Sequence, residues 1–354
     1  MITVYECGNG DCFLIENDAF NLQIDLGHSI NPHLKIANGN INYDLMISHS
    51  HDDHIIGNVG KLKKAPSEIF VPAYYPEYLC IKNKLEGKNS TLLKGMKYSL
   101  LYEGKMLYNK YEILNPSLTP WVEWKIGNEK DLDKIKLSDY LKEKNTSYEE
   151  IIKEVESVGR CYEKPKDERF NPKEFVDSYF KLLIKNKYPN LDEDGLESDV
   201  LANLSHNQTP AGRLNFFIKY FDRYHANDMS IVFLYENSDK KNVLFTGDAG
   251  KNVWNRLIDE GKRIKCDVLK TPHHGSKNNL NLEILGEMKP DIALISHNNQ
   301  HGKIDHHPNI EILGYLKFFK VDVHCTNDIV KNKAVWISKT IGLVPSYDIM
   351  FVKR

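Results

Sequence analysis

The heptapeptide Ser-His-Ser-His-Asp-Asp-His at 48–54 places three imidazoles and two carboxylates in seven positions, directly after the apolar run Leu45-Met46-Ile47. In an extended segment His49 and His51 point the same way and can grip one cation. Where the chain then turns, Asp53 and His54 swing toward a second position. Neutral imidazole and carboxylate suit zinc, manganese or iron(II). The absence of cysteine from the cluster argues against a structural zinc knot.

A site for two ions needs further ligands. The stretch LFTGDAG ends an apolar strand with Asp248 in a glycine turn, and LKTPHHGSKNN ends the next strand with His273 and His274. Strand ends are rigid places on which to build a metal cleft. Asp248 is expected to bridge the two ions.

The elements that must position these residues are legible at both ends of the chain. ITVYEC, CFLIEN, FNLQIDLG, YDLMISH and EIFVPAYY read as strands. SIVFLYE and NVLFTGD read as a hairpin around Asn237-Ser238-Asp239-Lys240. KNVWNRLIDEGK, LEILGEMKP and PNIEILGYLKFF have helical spacing, alternating with the strands CDVLK, DIALISH and VDVHC. Strands in AVWISK and SYDIMFVKR follow. The expected class is α/β, with two mixed sheets and helices outside. Residues 82–224 differ, being rich in Lys, Glu, Asn and Tyr. Helices are expected there at 147–158, behind Thr146…Glu149 or Ser147…Glu150 as capping boxes, and at 172–187, behind Asn171 and Pro172. This stretch reads as a long, largely helical insertion in a single domain spanning 1–354.

The segment HSHDDH matches the HxHxDH motif of the metallo-β-lactamase superfamily. CGNGDCFLIE, IDLG, LFTGDAG and LKTPHHGSKNN resemble one branch of it, which includes the nuclease domain of the bacterial DNA-uptake competence channel and the pneumococcal phosphorylcholine esterase. HHPNIEIL is similar to the segment that ends the competence-type pattern. The resemblance covers about 1–60 and 226–330. It implies an αββα sandwich and two divalent ions, zinc or manganese. His49 and His51 would hold one ion and Asp53, His54 and His274 the other, with Asp248 bridging. His273 would then face the substrate as a phosphate contact or proton donor. Most superfamily members place another histidine before the GD hairpin. His225 could serve here, or Asn227 or Asp228 in its stead. Asp25 is expected to hydrogen-bond a ligand imidazole and fix its tautomer. His307 could reach the cleft through the HHP segment.

Two such ions, ~3.5–4 Å apart, can bridge a hydroxide and clamp an in-line phosphoryl displacement. Asp53 would orient the hydroxide, and Ser276, Lys277 and His273 lie in a loop suited to a phosphate oxygen. The expected function is a metal-dependent phosphodiesterase or nuclease. Lactone or thioester hydrolysis is open to the same metal pair. A non-enzymatic metal-binding scaffold, with a protein partner on the insertion, is the competing class.

Residues 82–110 carry seven lysines against two glutamates, with Tyr98, Tyr102 and Tyr108 interleaved. That composition suits a single-stranded nucleic acid path, and equally a solvated surface. The formal net charge of −2 gives no global case for nucleic acid or acidic membranes. No apolar run approaches the ~20 residues of a membrane helix. The six scattered cysteines read as reduced thiols. With no signal-peptide pattern at the N-terminus, the expected compartment is the cytoplasm.

Overall fold

The computed structural model describes residues 1–8, 10–17, 20–27, 42–51, 53–55, 64–86, 98–118, 141–158, 173–174, 176, 179, 226–297, 307–331, 334–344 and 346–352. The chain divides into two compact units, one of residues 1–72, 95–117 and 227–354, the other of residues 73–94 and 118–226.

All the described strands lie in the first unit: β1 (Ile2–Tyr5), β2 (Phe13–Glu16), β3 (Asn21–Ile24), β4 (Asp44–Met46), β5 (Ile69–Pro72), β6 (Tyr98–Leu101), β7 (Met106–Leu107), β8 (Tyr111–Asn115), β9 (Val232–Glu236), β10 (Asn242–Phe245), β11 (Val268–Lys270), β12 (Ile292–Ile295), β13 (Asp322–Cys325), β14 (Ile329–Lys331), β15 (Ala334–Ile337), β16 (Gly342–Val344) and β17 (Ile349–Val352). Among the described residues they form an eight-stranded sheet, β16-β17-β1-β2-β3-β4-β5-β6, and a seven-stranded sheet, β13-β12-β11-β10-β9-β8-β7. Strands β14 and β15 pair separately. Both large sheets are mixed. β1 runs parallel to β17 and antiparallel to β2, and β10 runs parallel to β11 and antiparallel to β9.

Alternation along the strands makes the layers. Phe233 and Tyr235 of β9, with Val243 and Phe245 of β10, enter a core shared with Val4, Phe13, Ile24 and Met46 of the other sheet. Their neighbours Val232, Leu234 and Leu244 face the opposite way, into a second core. The helices are α1 (Tyr75–Glu86) and α2 (Tyr148–Val158) in the second unit, and α3 (Lys251–Asp259), α4 (Leu282–Met288) and α5 (Ile310–Phe318) in the first. Val253, Trp254 and Leu257 of α3, Ile284 and Leu285 of α4, and Ile312 and Leu316 of α5 close that second core. The first unit is therefore α/β, with two mixed sheets and helices on one outer face. Among the described residues no helix is long and apolar enough to cross a membrane.

In the second unit α1 and α2 are joined by Lys84 and Glu154, 2.6 Å apart. The capping box of α2 is Ser147 with Glu150. The Glu150 backbone N–H donates to Ser147 Oγ at 3.2 Å and the Ser147 N–H donates to Glu150 Oε2 at 3.3 Å. Thr146 bonds Glu150 as well, at 3.1 Å, where Glu149 was its expected partner. Of the helix expected over 172–187, Lys173, Glu174, Val176 and Tyr179 are described, and all four are helical.

Three features depart from the sequence reading. Strand β5 stops at Pro72, and the chain enters α1 where EIFVPAYY reads as continuous strand. Strands β6, β7 and β8 belong to the two sheets although they fall within 82–224. Their apolar residues are few and flanked by Lys and Glu, which hides the alternation. Two of the three interleaved tyrosines are engaged within the fold. Tyr98 is buried, and Tyr108 stacks on Phe20 at 4.1 Å with its hydroxyl on Asp44.

Candidate metal centre

Strand β4 delivers the histidine loop into the first unit's core. Ser48, His49, Ser50 and His54 are buried. The His54 N–H donates to His51 O at 3.0 Å, closing the turn between His51 and His54. Gly10 (φ 115°) lies so close to this turn that a Cβ there would sit 1.7 Å from Asp53 O. Asp25, at the end of β3, holds the loop from beneath. Its Oδ1 accepts from the Ser48 N–H and its Oδ2 from Ser48 Oγ, both at 2.7 Å, while His54 Nδ1 lies 2.7 Å from Oδ2.

The second sheet supplies the opposite wall. Asp248 follows β10, and the Thr271–Ser276 turn follows β11. His273 (φ 45°) and His274 (φ 55°) are both left-handed, a strained arrangement for two consecutive side-chain-bearing residues. It sends the imidazoles to different places. His274 Nε2 lies 3.6 Å from Asp53 Oδ2, whereas His273 Nε2 lies 3.8 Å from Asp248 Oδ2.

Asp248 is the meeting point. Its Oδ2 is 3.7 Å from His49 Nε2 and its Oδ1 is 3.4 Å from His54 Nε2. Ligand atoms within 4.8 Å of one another group as His49, His54 and Asp248, as Asp53, His54 and His274, and as Asp11, Asp25 and His54. His51 joins none of these groups, although its ring centroid is 4.7 Å from that of His49. Among the described residues of the cluster, His273 is 30% exposed, Asp53 23% and His51 half-buried, whereas His49, His54, Asp248 and His274 are all at 1% or below.

Burial and charge pull against each other in this cluster. Burial works against every charge here, yet the arrangement overrides it for most groups. Asp53 and Asp248 are held well below the usual carboxylate range, because buried imidazoles, His54 foremost, outweigh desolvation. His54 is pushed well above its ordinary value despite burial, by Asp248, Asp25 and Asp53. His274 is raised despite burial by Asp53, Asp248 and Asp11. Where desolvation dominates, the groups go neutral: His49 and His273 are lowered, and His307 falls to about 3. His49 Nε2, His54 Nε2, both Asp248 carboxylate oxygens and both His274 nitrogens are buried without a hydrogen-bond partner. Buried polar atoms without partners are rare in folded proteins. Once His54 and His274 give up their protons, buried nitrogens and oxygens converging in this way are what a bound cation satisfies, and the donor set fits a divalent ion.

Two further residues, Lys270 and Asp11, border the cluster. Lys270 is buried, donates to Gly247 O at 2.8 Å, and lies 3.8 Å from Asp248 Oδ1. Its ammonium pairs with Asp11. The Asp11 carboxylate lies 3.8 Å from both His54 Nδ1 and His274 Nδ1. Strand parity marks Lys270. Val268 faces the inter-sheet core and Leu269 the helices, so position 270 must point inward.

The remaining expected residues divide. His225 lies outside the described residues. Asp228, an alternative to it, accepts from the Gly250 N–H at 3.2 Å at the start of α3. Asn227 is buried nearby. His307 stands against His273, ring centroids 4.8 Å apart. Ser276 is buried, with its Oγ accepting from the Asn278 N–H at 3.2 Å. The Lys277 N–H donates to Asn309 Oδ1 at 2.8 Å, and its side chain is exposed.

Fold and site together define an α/β protein with a buried cluster of imidazoles and carboxylates able to hold metal ions. No family model matches the chain. Part of it is similar to ComE operon protein 3 of Bacillus subtilis, 31% identical over 126 residues that cover 34% of this chain and 16% of that protein. A shorter part is similar to Recombination protein 2 of Haemophilus influenzae, 40% identical over 70 residues, 20% of this chain and 8% of that one. The matched part thus spans less than a fifth of either relative.

Proposed function

We propose that the chain is a metal-dependent phosphodiesterase acting on nucleic acid, with a metallo-β-lactamase-type αββα architecture. The observation that carries this reading is the convergence of partnerless Nε2 and carboxylate lone pairs on Asp248, between the ends of two sheets. His49 and His51 would hold one divalent ion, zinc or manganese. Asp53, His54 and His274 would hold the other, and Asp248 would serve both. Bound there, such ions lower the pKa of a water and neutralise phosphoryl charge.

The chain's own residues do the rest. Asp25 holds the Nδ1 proton of His54, so that Nε2 presents a lone pair. Ser48 gives its hydroxyl proton to Asp25 and accepts from His49 Nδ1 at 3.1 Å, which presents His49 Nε2 in the same sense. Asp53, ionised and partly exposed, is placed to accept a hydrogen bond from an attacking water and set its line of approach. Lys270 stays inside, balancing Asp11 and Asp248.

Nucleic acid as the substrate is supported by the motif resemblance to the competence-channel branch and by the partial likeness to ComE operon protein 3 and Recombination protein 2. In this reading the insertion expected over 82–224 would serve as a lid or as a partner surface.

The test is direct. Protein stripped with chelator and reloaded with manganese or zinc should cut bis-p-nitrophenyl phosphate and DNA or RNA, and Asp248→Ala should not. Metal-loaded protein that opens lactones but leaves every phosphodiester intact would replace this reading with the lactonase one. A chain that binds metal without hydrolysing either would point to the scaffold.

A further inference from the structure

The proton on His273 is fixed by a residue that touches no candidate ligand atom. Asn279 Nδ2 lies 2.8 Å from Asp248 O and 3.2 Å from Ala249 O. Both are acceptors only, so the amide nitrogen must face them, and the opposite flip would set Oδ1 against two carbonyl oxygens. Asn279 Oδ1 therefore faces His273 Nδ1, at 3.1 Å. An amide oxygen cannot donate. The proton of that contact sits on His273 Nδ1, and Nε2 carries a bare lone pair.

His49 and His54 are wired in the same sense. In each, Nδ1 is tied to a fixed oxygen, of Ser48 or Asp25, and Nε2 looks toward Asp248. His273 Nε2 looks at the same Asp248 oxygen as His49 Nε2, at 3.8 and 3.7 Å. We infer that His273 is a metal ligand through Nε2, the third imidazole of the ion position shared by His49 and Asp248, and that Asn279 is the residue positioning it. This rests on the reading that the cluster holds divalent ions. It gives His273 a role other than proton donor, since the tautomer set by Asn279 leaves no proton on Nε2. It also fills, from the β11 turn, the position for which the sequence offers His225. His273 stands outside the tight 4.8 Å groupings, and ligation draws its ring inward from its partly exposed site beside His307.

The test uses the whole chain and no substrate. Selective ¹⁵N-histidine labelling and two-bond ¹H–¹⁵N spectra of the metal-free protein should place the His273 proton on Nδ1. Finding it on Nε2 overturns the proposal without any variant. Calorimetric titration with Zn²⁺ should give two ions in wild type. In His273→Gln and Asn279→Leu one of the two sites should weaken about 10-fold or more, with the other unchanged. Both variants binding two ions with wild-type affinity overturns the inference and leaves the hydrolase reading standing. Loss of one site in His273→Gln supports it whatever substrate the chain acts on.

Discussion

His54 Nδ1 stands 2.7 Å from Asp25 Oδ2, and both side chains are fully buried. Asp25 also accepts two bonds from Ser48, so one carboxylate orients both the loop and the imidazole. Asparagine tolerates the left-handed backbone of Asp25 (φ 53°) but has one acceptor oxygen for three donors. In Asp25→Asn, metal affinity should fall about 10–100-fold with the fold retained. An unchanged calorimetric affinity would show that His54 needs no such support.

The raised His54 and His274 set the proton balance of metal uptake. Both are protonated in the metal-free protein at pH values where a free histidine has already lost its proton, and both must deprotonate to ligate. Metal binding should therefore release protons at pH 7, and apparent affinity should rise with pH. Calorimetry in buffers of different ionisation enthalpy counts the protons, and a count of zero would contradict this account.

Gly10→Ala places a methyl group against Asp53 O at a backbone angle that favours glycine. The turn carrying Asp53 and His54 must move. We expect lower stability, by about 1–3 kcal/mol for the strained backbone alone. Uptake of the ion assigned to Asp53, His54 and His274 should be lost as well. Elemental analysis showing full metal content would mean the turn can yield without disturbing the site.

Lys270→Met leaves Asp11 and Asp248 without their buried ammonium. Breaking such a pair costs about 3–5 kcal/mol, read as a lower urea midpoint of the metal-free protein. Added metal should then restore more stability to the variant than to wild type, because it supplies the missing positive charge. A midpoint equal to that of wild type would show that neither carboxylate depends on the ammonium.

The residues that gather around Asp248 were legible because each carries its chemistry in its own type and follows an apolar strand. The strands β9 to β13 and helices α3 to α5 were legible for the same reason, since their apolar periodicity is unbroken. Lys270 was readable in principle from the parity of Val268 and Leu269. Asn279 was not, because its role depends on a turn that brings its amide back to the Asp248 and Ala249 carbonyls. Nor were β6 to β8. Their short apolar runs are set among lysines and glutamates; β7 and β8 form a short hairpin, and β6 and β8 join the sheets through the distant strands β5 and β9.

The pairing of Ile2 with Ile349, and of the residues that follow on each strand, has a consequence for how the chain is made. β1 leaves the ribosome more than three hundred residues ahead of β17, its partner in the sheet. Until then the eight-stranded sheet keeps an open hydrogen-bonding edge at β1, the kind of edge that recruits foreign strands. Contacts so distant in sequence also slow folding. The imidazole and carboxylate loops are all translated before β17 arrives, so a nascent chain can gather its charged cluster while its first sheet is still unclosed. The interval between the synthesis of β1 and that of β17 is thus one in which this edge is open to foreign strands.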